Sequence, residues 1–396
     1  MKLHRLQAVL RMLALSVLLA ACGGGVETGG TGATGTYVEG PISGFGSVIV
    51  DGVRFDEAGA AIEDVDGTPR RREELRLGMR LEVFAGAIAD DSDGGRSATA
   101  TRVRIGTDLL GPVTFADAGA NAISVLGQVV RATPATVLDG LPGGLASVSV
   151  GDLVEVHGFL DPGIVLDRFI ATRIERRTAM PAQFLVRGPA RDVDQAARTL
   201  RVGGQTFDLS STGVPAGLIA GQVVRMRLQT AQVAGRWPVS SIEVESRRLD
   251  DRDEAGIEGV ITTLTSATRF ELNGIAVDAT QANFVDGTAG VVQGARVKVR
   301  GRAVGGLLLA TVVDIRSDDE AFNDGVDLRD RIASLDTAAR TFVVRGVTVF
   351  YGTSPGPRYD NGTEVDLAND RLVRVRAVLS TDRTRVEASR VEFLAN

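Results

Sequence analysis

The chain has 396 residues, of which 44% are hydrophobic and 24% are charged, and its formal net charge is −6 at neutral pH. This length corresponds to two to four domains of about 150 residues each. The hydrophobic content is sufficient for several cores, which excludes a disordered chain. One cysteine and two histidines exclude a disulfide framework and argue against a zinc site or a histidine-dependent catalytic triad.

The first residues have the organisation of a bacterial lipoprotein signal. A basic segment at residues 1–11 precedes an apolar run at residues 12–21, which is too short for a membrane span of about 20 residues. Residues 19–22, Leu-Ala-Ala-Cys, match the bacterial lipobox. We therefore predict a lipoprotein signal peptide at residues 1–21 and lipidation at Cys22, which would anchor the protein in a membrane. The alternative is an ordinary secretory signal with a chance cysteine.

A flexible linker is predicted to follow the lipidated cysteine. Residues 22–36 are rich in glycine and have no apolar periodicity. Gly23 occupies the position where an aspartate would favour retention in the inner membrane, so we expect the outer membrane. Removal of the signal peptide with Lys2, Arg5 and Arg11 lowers the net charge to −9, which argues against a polybasic membrane-binding role.

Five copies of a short repeat follow the linker. Each copy alternates apolar and other residues around a glycine, and three copies have Asp-Gly, Gly-Gly or Asn-Gly at the turn, which predicts a β-hairpin. The copies lie at residues 48–55, 123–130, 200–207, 270–277 and 342–349.

Further strand patterns flank each hairpin. One short strand precedes it, and two strands follow. The fourth strands are predicted at residues 78–83, 151–156, 221–226, 294–299 and 370–375, and the fifth strands at residues 100–103, 171–174, 239–242, 310–313 and 388–391. The sequence therefore predicts five units of about 70 residues with five strands each.

The predicted fold is all-β, with five tandem small five-stranded OB-like β-barrels. Each strand has one apolar face, so the sheet must close on itself or pair with another. An immunoglobulin-like sandwich is the alternative, although it needs about seven strands in about 100 residues. In the first unit, Thr68 and Pro69 predict the start of a helix before the fourth strand. The predicted barrels cover residues 37–106, 107–178, 183–248, 256–317 and 324–396.

The joins between the units are short and charged. Their composition predicts solvated linkers, so we expect the barrels to be separate, like beads on a chain. The joins lie at residues 106–110, 177–181, 247–254 and 316–323.

Residues 40–55 and 77–83, together with the lipobox and the linker, resemble a family of bacterial envelope proteins. That family carries tandem copies of domain of unknown function 5666. The resemblance is strongest in the first, second and fourth units, whereas the third has Val239 in place of an alanine and the fifth has Asp370 in place of a glycine. The family has no established activity, so the resemblance implies a fold and a location but no catalytic residues.

Three motifs have functional interpretations that we consider weak. His157 alternates with inward-pointing valines, so we expect a surface histidine rather than a general base or a metal ligand. Residues 90–95 resemble a calcium loop, but Ala89 and Ala100 occupy two ligand positions, so a hairpin loop is expected. Gly44-Phe-Gly46-Ser lacks the lysine and the helix of a phosphate loop, and we interpret it as a hairpin.

Ligand classes can be weighed from charge and aromatic content. The outward positions of the fourth strands change sign between units, which argues against nucleic acid; they are Glu82, Glu155, Arg225, Lys298 and Arg374. Glycan binding stays open because Tyr37, Trp237, Tyr351 and Tyr359 could each stack on a sugar. Calcium binding also stays open, through acidic joins that contain Asp250, Asp251, Asp253, Glu254, Asp318, Asp319 and Glu320.

The sequence thus favours a non-enzymatic, lipid-anchored envelope protein that acts as a spacer or adaptor for another envelope protein. The alternative is a cell-surface protein that binds a glycan or calcium. We predict no catalytic residue, no cofactor and no metal site. The predicted site residue is Cys22.

Overall fold

The computed structural model is all-β and describes residues 35–91, 95–162, 167–245, 247–317 and 325–395. These residues form one compact unit. Cys22, the lipobox and most of the predicted linker lie outside the described residues. Among the described residues, we find no helix with the length and apolar character needed to cross a membrane.

The strands fall into five groups, which we number as barrels 1 to 5. Barrel 1 contains β1 (Thr36–Phe45), β2 (Val48–Val50), β3 (Val53–Asp56), β4 (Ala61–Asp64), β5 (Arg80–Ala85), β6 (Ala89–Asp90) and β7 (Arg96–Ile105). Barrel 2 contains β8 (Leu109–Asp117), β9 (Ala122–Val125), β10 (Gln128–Asp139), β11 (Leu153–Pro162) and β12 (Asp167–Arg176). Barrel 3 contains β13 (Phe184–Asp194), β14 (Thr199–Val202), β15 (Gln205–Asp208), β16 (Val223–Leu228) and β17 (Trp237–Val244).

Barrel 4 contains β18 (Arg252–Ser266), β19 (Arg269–Leu272), β20 (Ile275–Asp278), β21 (Asn283–Phe284), β22 (Arg296–Val304) and β23 (Leu307–Arg316). Barrel 5 contains β24 (Val326–Arg331), β25 (Ala333–Asp336), β26 (Thr341–Val344), β27 (Val347–Phe350), β28 (Arg358–Asp360), β29 (Leu372–Leu379) and β30 (Val386–Phe393). Short 3₁₀ turns at Arg72–Glu74, Gly144–Ser147 and Glu364–Asp366 precede the fourth principal strands of barrels 1, 2 and 5.

All five groups share one pairing order. In barrel 2, β8 pairs with β9, β9 with β10, β10 with β12, β12 with β11, and β11 again with β8. The pairing of β10 with β12 is parallel, whereas the others are antiparallel. The five principal strands therefore form a closed barrel, and the five predicted hairpins are confirmed.

Each hairpin turn has its first residue in the left-handed region, with φ from 48° to 56°; these residues are Asp51, Leu126, Gly203, Asn273 and Arg345. In four barrels a glycine with φ from 72° to 80° follows. Two consecutive positive φ angles define the turn that matches the twist of a two-residue hairpin, and glycine adopts the second one without strain. The resulting hairpin tips project toward neighbouring barrels.

The alternating apolar residues fill the barrels. Phe55, Phe169, Phe207 and Phe342 are fully buried, and burial of each contributes about 1.5–3 kcal/mol relative to exposure. The buried apolar residues form three clusters: barrels 1 and 5 share one, barrels 2 and 3 share another, and barrel 4 contributes most of the third. Apolar packing therefore continues from one barrel to the next.

The expectation of separate barrels is wrong. Strand β1 pairs in parallel with β18 over Thr36–Glu39 and with β24 at Gly44 and Phe45, and Leu110 of β8 pairs with Leu185 of β13. The join at residues 106–110 is not solvated either, because Asp108 is fully buried. Charged side chains on the outer faces of the strands pair between barrels, and the barrels consequently pack against one another.

The predicted helix after Thr68 is also shorter than expected. Residues 68–70 extend the sheet instead, because Asp64 N donates to Thr68 O at 2.9 Å and Arg70 N donates to Ile62 O at 2.8 Å. Thr68 N donates to the Asp64 side chain at 3.0 Å and Arg70 N to the neighbouring strand, so neither donor starts a helix. Only the 3₁₀ turn at Arg72–Glu74 remains.

Candidate functional site: a charge cluster between the barrels

Four arginines and four carboxylates meet where barrels 1, 2 and 3 and the join to barrel 4 come together. We call these side chains the central cluster. Its members are Glu39, Arg80, Glu82, Asp108, Arg187, Arg225, Glu245 and Arg247. All of them are buried or nearly so, with side-chain exposures of 17% or less.

Strand alternation places these charges outside the barrel cores. Glu39 of β1 lies directly opposite Glu82 of β5, and Arg187 of β13 lies directly opposite Arg225 of β16. Like charges opposite each other on adjacent strands are destabilising. Each of these pairs therefore needs opposite charges close to it, from its own barrel or from a neighbouring part of the chain.

Arg80 and Arg187 both bind Asp108 and so link barrels 1 and 3. Arg80 Nη1 donates to Glu39 Oε1 at 2.8 Å, and Arg80 Nη2 donates to Asp108 Oδ1 at 3.0 Å. Arg187 Nη1 lies 3.3 Å from the same Asp108 oxygen, and Arg187 Nη2 lies 2.9 Å from Glu245 Oε2. Asp108, in the join before β8, thus holds arginines from barrels 1 and 3 together.

Arg225 and Arg247 complete the pairing. Arg247 Nη2 lies 2.7 Å from Glu39 Oε2 and 3.1 Å from Glu82 Oε1, so it neutralises the acidic pair of barrel 1. Arg225 Nη2 lies 3.3 Å from Glu245 Oε1, and Arg225 Nη1 donates to the Thr107 carbonyl at 2.8 Å. The cluster therefore contains equal numbers of positive and negative side chains.

The arginines of the cluster lower the pKa values of Glu39 and Glu245. Burial opposes the ionisation of Glu39, but the positive charges of Arg247 and Arg80 outweigh it and lower the pKa of Glu39 to about 2. Burial likewise opposes the ionisation of Glu245, and Arg187 and Arg225 lower its pKa to about 2. Neither carboxylate can act as a general acid or base near neutral pH. The arrangement is suited to holding the barrels together.

A second set of charges joins barrels 1 and 4. Asp51, at the hairpin tip of barrel 1, pairs with Lys298 and accepts a hydrogen bond from Arg300 Nε at 3.0 Å. In the opposite direction, Asn273 Nδ2 at the hairpin tip of barrel 4 donates to Glu39 Oε1 at 3.3 Å. Each of these two barrels therefore inserts its hairpin tip against the other.

His157 is fully buried, so the expected surface position is wrong. Its side chain points out of barrel 2, but the join from barrel 1 covers it, and Nδ1 lies 3.0 Å from the Gly106 carbonyl oxygen. Nε2 lies 3.3 Å from Glu155 Oε1. Burial opposes the ionisation of Glu155, but its neighbours His157, Thr107 and Arg177 outweigh burial and lower the Glu155 pKa to about 2.

A cleft of about 220 Å³ adjoins the central cluster where barrels 2, 3 and 4 meet. Its wall combines apolar and polar side chains, among them Phe159, Leu160, Arg187, Arg191, Thr262, Glu271 and Asn273. This volume is below the roughly 300–1,000 Å³ of typical small-molecule sites. The cleft can accommodate only a small ligand.

The aromatic residues proposed for sugar stacking are not presented as platforms. Tyr37, Trp237 and Tyr351 are buried. Tyr37 packs edge-on against Phe84, and Trp237 packs edge-on against Phe184. Tyr359 is half-buried and stacks on Phe393. Sugar stacking on the first three residues is therefore excluded by packing.

The acidic segments considered for calcium have protein partners where they are described. Asp91 accepts a hydrogen bond from Arg54, Asp251 accepts one from Gly305 N at 2.6 Å, and Glu254 pairs with Arg96. Asp318, Asp319 and Glu320 lie outside the described residues. Within the described part of the chain, no group of three or more His, Cys, Asp or Glu side chains could hold a metal ion.

The central cluster was not predicted from the sequence. Only the outward direction of some charged residues of the fourth strands was predicted; these residues are Glu82, Glu155, Arg225, Lys298 and Arg374. A signal was present in two barrels, where the residue before the glycine of the first strand is charged. Glu39, before Gly40, lies opposite Glu82, and Arg187, before Gly188, lies opposite Arg225. Such a pair indicates a covered surface with a counter-charge.

The sequence of the repeats matches a known family. The family model of a domain of unknown function, DUF5666, matches residues 111–175, 258–314 and 331–392. The chain carries tandem copies of the DUF5666 domain. The matched DUF5666 segments fall within barrels 2, 4 and 5. The fifth unit therefore matches despite Asp370. The first unit is not among the matched segments.

A solved structure described as drosophila Unr CSD456 shows a weak similarity. It is 13% identical in sequence, and the alignment covers 43% of this chain and 79% of that chain with a TM-score of 0.16. A TM-score this low supports no conclusion about a shared fold or function. No curated protein is significantly similar to the chain.

Proposed function

We propose that the chain is a non-enzymatic, lipid-anchored protein of the bacterial envelope that acts as an adaptor for another envelope protein. Residues 19–22 support the anchor, because Leu-Ala-Ala-Cys is a lipobox after a basic segment and an apolar run. Acylation of Cys22 would then hold the barrels close to a membrane, and the outer membrane is favoured by Gly23.

The central cluster is the observation that carries the adaptor proposal. Asp108 and Arg247, from the joins between barrels, cover the outer faces of barrels 1 and 3 with ion pairs. A scaffold needs such fixed relative positions, whereas a string of independent ligand-binding modules does not. Because β1 pairs with both β18 and β24, the repeats fold back on one another, and this favours an adaptor over an extended spacer.

The absence of enzymatic activity is part of the proposal. Each carboxylate of the central cluster pairs with an arginine, and Glu39 and Glu245 have pKa values of about 2. General acid–base catalysis needs a group with a pKa near the working pH and room for a substrate. Glu39 and Glu245 do not meet the first requirement.

We further interpret each barrel as OB-like. The strand order first–second–third–fifth–fourth–first, with a parallel pairing of the third and fifth strands, supports this interpretation. In barrels 1, 2 and 5, a 3₁₀ turn lies between the third and fourth principal strands.

In-cell crosslinking of the full-length protein tests the adaptor proposal. Wild type and a Cys22→Ser variant, which cannot be acylated, are crosslinked in parallel, and their partners are identified by mass spectrometry. We expect one dominant protein partner that is lost in the variant. Background crosslinks alone, or the same partners in both samples, would refute the proposal.

A small-ligand receptor is a second candidate, favoured by the cleft beside Phe159 and Arg191. A short glycan bound there would raise the temperature of thermal unfolding, because a ligand that binds only the folded state stabilises it. A thermal-shift screen with short glycans checks this. An unchanged unfolding temperature at saturating concentrations would eliminate the candidate.

A further inference from the structure

The outer face of barrel 5 differs from its counterparts in the other barrels. In barrel 3, Arg187 of the first strand faces Arg225 of the fourth strand, and in barrel 5, Arg329 faces Arg374 at the equivalent positions. The barrel 3 pair is buried. In barrel 5, by contrast, Arg329 is exposed.

Four arginines form this surface, which we call the basic face: Arg329, Arg331, Arg374 and Arg376. They all point away from the core of barrel 5, because Leu328, Val373 and Val375 occupy the alternate, buried positions. Arg329, Arg331 and Arg376 are exposed. Asp327 pairs with Arg374 at 2.6 Å, and Glu392 of β30 lies directly opposite Arg374, so the exposed positive charge of the face is that of Arg329, Arg331 and Arg376.

Barrel 3 shows what such a pair of arginines binds. The join from barrel 1 to barrel 2 crosses its outer face. Arg225 Nη1 donates to the Thr107 carbonyl at 2.8 Å, and Arg187 Nη1 donates to Asp108 Oδ1 at 3.3 Å. The occupant is thus an extended peptide that offers a backbone carbonyl and, at the next residue, a carboxylate.

We propose that the basic face of barrel 5 binds an extended acidic segment of a partner protein. The face has the same Arg–Arg register as barrel 3, and its exposed arginines, Arg329, Arg331 and Arg376, offer positive charge that an acidic segment complements. Carboxylates of the partner would pair with Arg329 and Arg376, as Asp108 pairs with Arg187. This inference rests on the adaptor function and identifies the surface that would carry it.

Binding of a deca-glutamate peptide to the purified full-length chain tests the proposal. Fluorescence anisotropy of the labelled peptide is measured with wild type and with an Arg329→Glu/Arg376→Glu variant. We expect a loss of affinity of at least about tenfold, because reversed charges repel the peptide. The matched control is Arg269→Glu/Arg302→Glu, which reverses two exposed arginines of barrel 4 and is expected to change affinity by less than about twofold.

Equal affinity in the basic-face variant and wild type would overturn the proposal, as would an absence of peptide binding to wild type. Vesicles containing phosphatidylglycerol are tested with the same variants. Binding to vesicles without binding to the peptide would assign the face to a lipid surface and would also overturn the proposal. The peptide measurement needs neither an anchor nor a cell, so its failure is distinct from a failure of the crosslinking test of the adaptor function.

Discussion

Barrels 3 and 5 carry arginines at the same two positions, yet they use them differently. In barrel 3, the side chains of Arg187 and Arg225 are 7% and 8% exposed and bind carboxylates from elsewhere in the chain. In barrel 5, Arg329 faces solvent. The repeat sequence therefore determines the barrel fold and the outward direction of these side chains. Whether they form ion pairs depends on which other segments of the chain pack against them.

The largest expected difference between the two barrels concerns stability. Substitution Arg187→Met leaves Asp108 and Glu245 buried with one arginine fewer, and loss of one partner from a buried ion pair costs about 3–5 kcal/mol. The equivalent substitution Arg329→Met removes an exposed side chain and should change stability by less than about 0.5 kcal/mol. Hydrogen exchange of the amides in β13 and β24 measures both effects. Equal loss of protection from hydrogen exchange in the two variants would contradict the predicted difference in stability between barrels 3 and 5.

The charge pairing of the central cluster also predicts a response to acid. The pKa of Glu39 is lowered from 4.5 to about 2 in the folded protein. Its contribution to stability is therefore complete above the unfolded pKa and is lost as the pH falls through the folded value. This difference corresponds to about 3 kcal/mol.

Urea unfolding at a series of pH values from about 7 to about 2 checks the acid response. Stability should hold down to about pH 5 and then decline. Glu39→Gln should reduce the decline, whereas Glu73→Gln, which changes an exposed side chain of barrel 1, should leave it intact. An identical acid profile for Glu39→Gln and wild type would show that Glu39 is not a source of the acid response.

Substitutions at the hairpin tips of barrels 3 and 5 are expected to differ in their effect on stability, by an intermediate amount. In barrel 3, Gly204 N donates to the Gly127 carbonyl of barrel 2 at 2.8 Å. A Cβ atom at Gly203 would overlap Gln128 Nε2 and approach Gly127 O to 2.6 Å. Gly203→Asn, whose side chain tolerates the positive φ, should therefore destabilise the contact by about 1–3 kcal/mol.

The comparison at the tip of barrel 5 is Gly346→Asn, at the second position of the turn, where φ is 74°. There a Cβ atom would meet the side chain of Arg76 at 3.4 Å, and a flexible side chain can move aside. Thermal unfolding of both variants compares the two tips. A larger drop in unfolding temperature for Gly346→Asn than for Gly203→Asn would refute the steric explanation.

The sequence predicted the barrels because their signals are local. Alternation places Val154 and Val156 inside barrel 2, and Asn273-Gly274 marks a hairpin turn, so neighbours in sequence decide each element. Contacts between barrels have no such signal. Asp108 and Arg187 are far apart in the sequence, and their pairing depends on how whole barrels pack. The same limitation explains why the burial of His157 was not predicted. Its direction out of the barrel was predicted correctly, but the residue that covers it, Gly106, belongs to the join after barrel 1.

The smallest expected effect shows that burial, and not the number of ion pairs, distinguishes the central cluster. Arg201 Nε lies 2.6 Å from Asp192 Oδ2 on the outside of barrel 3, and the two side chains are 39% and 71% exposed. Water screens such a pair, so Arg201→Ala should cost about 0.2–1 kcal/mol despite the short distance. Urea unfolding in low and high salt checks this, because salt weakens exposed pairs more than buried ones. A cost for Arg201→Ala as large as that for Arg187→Met would mean that proximity alone sets the strength of these contacts.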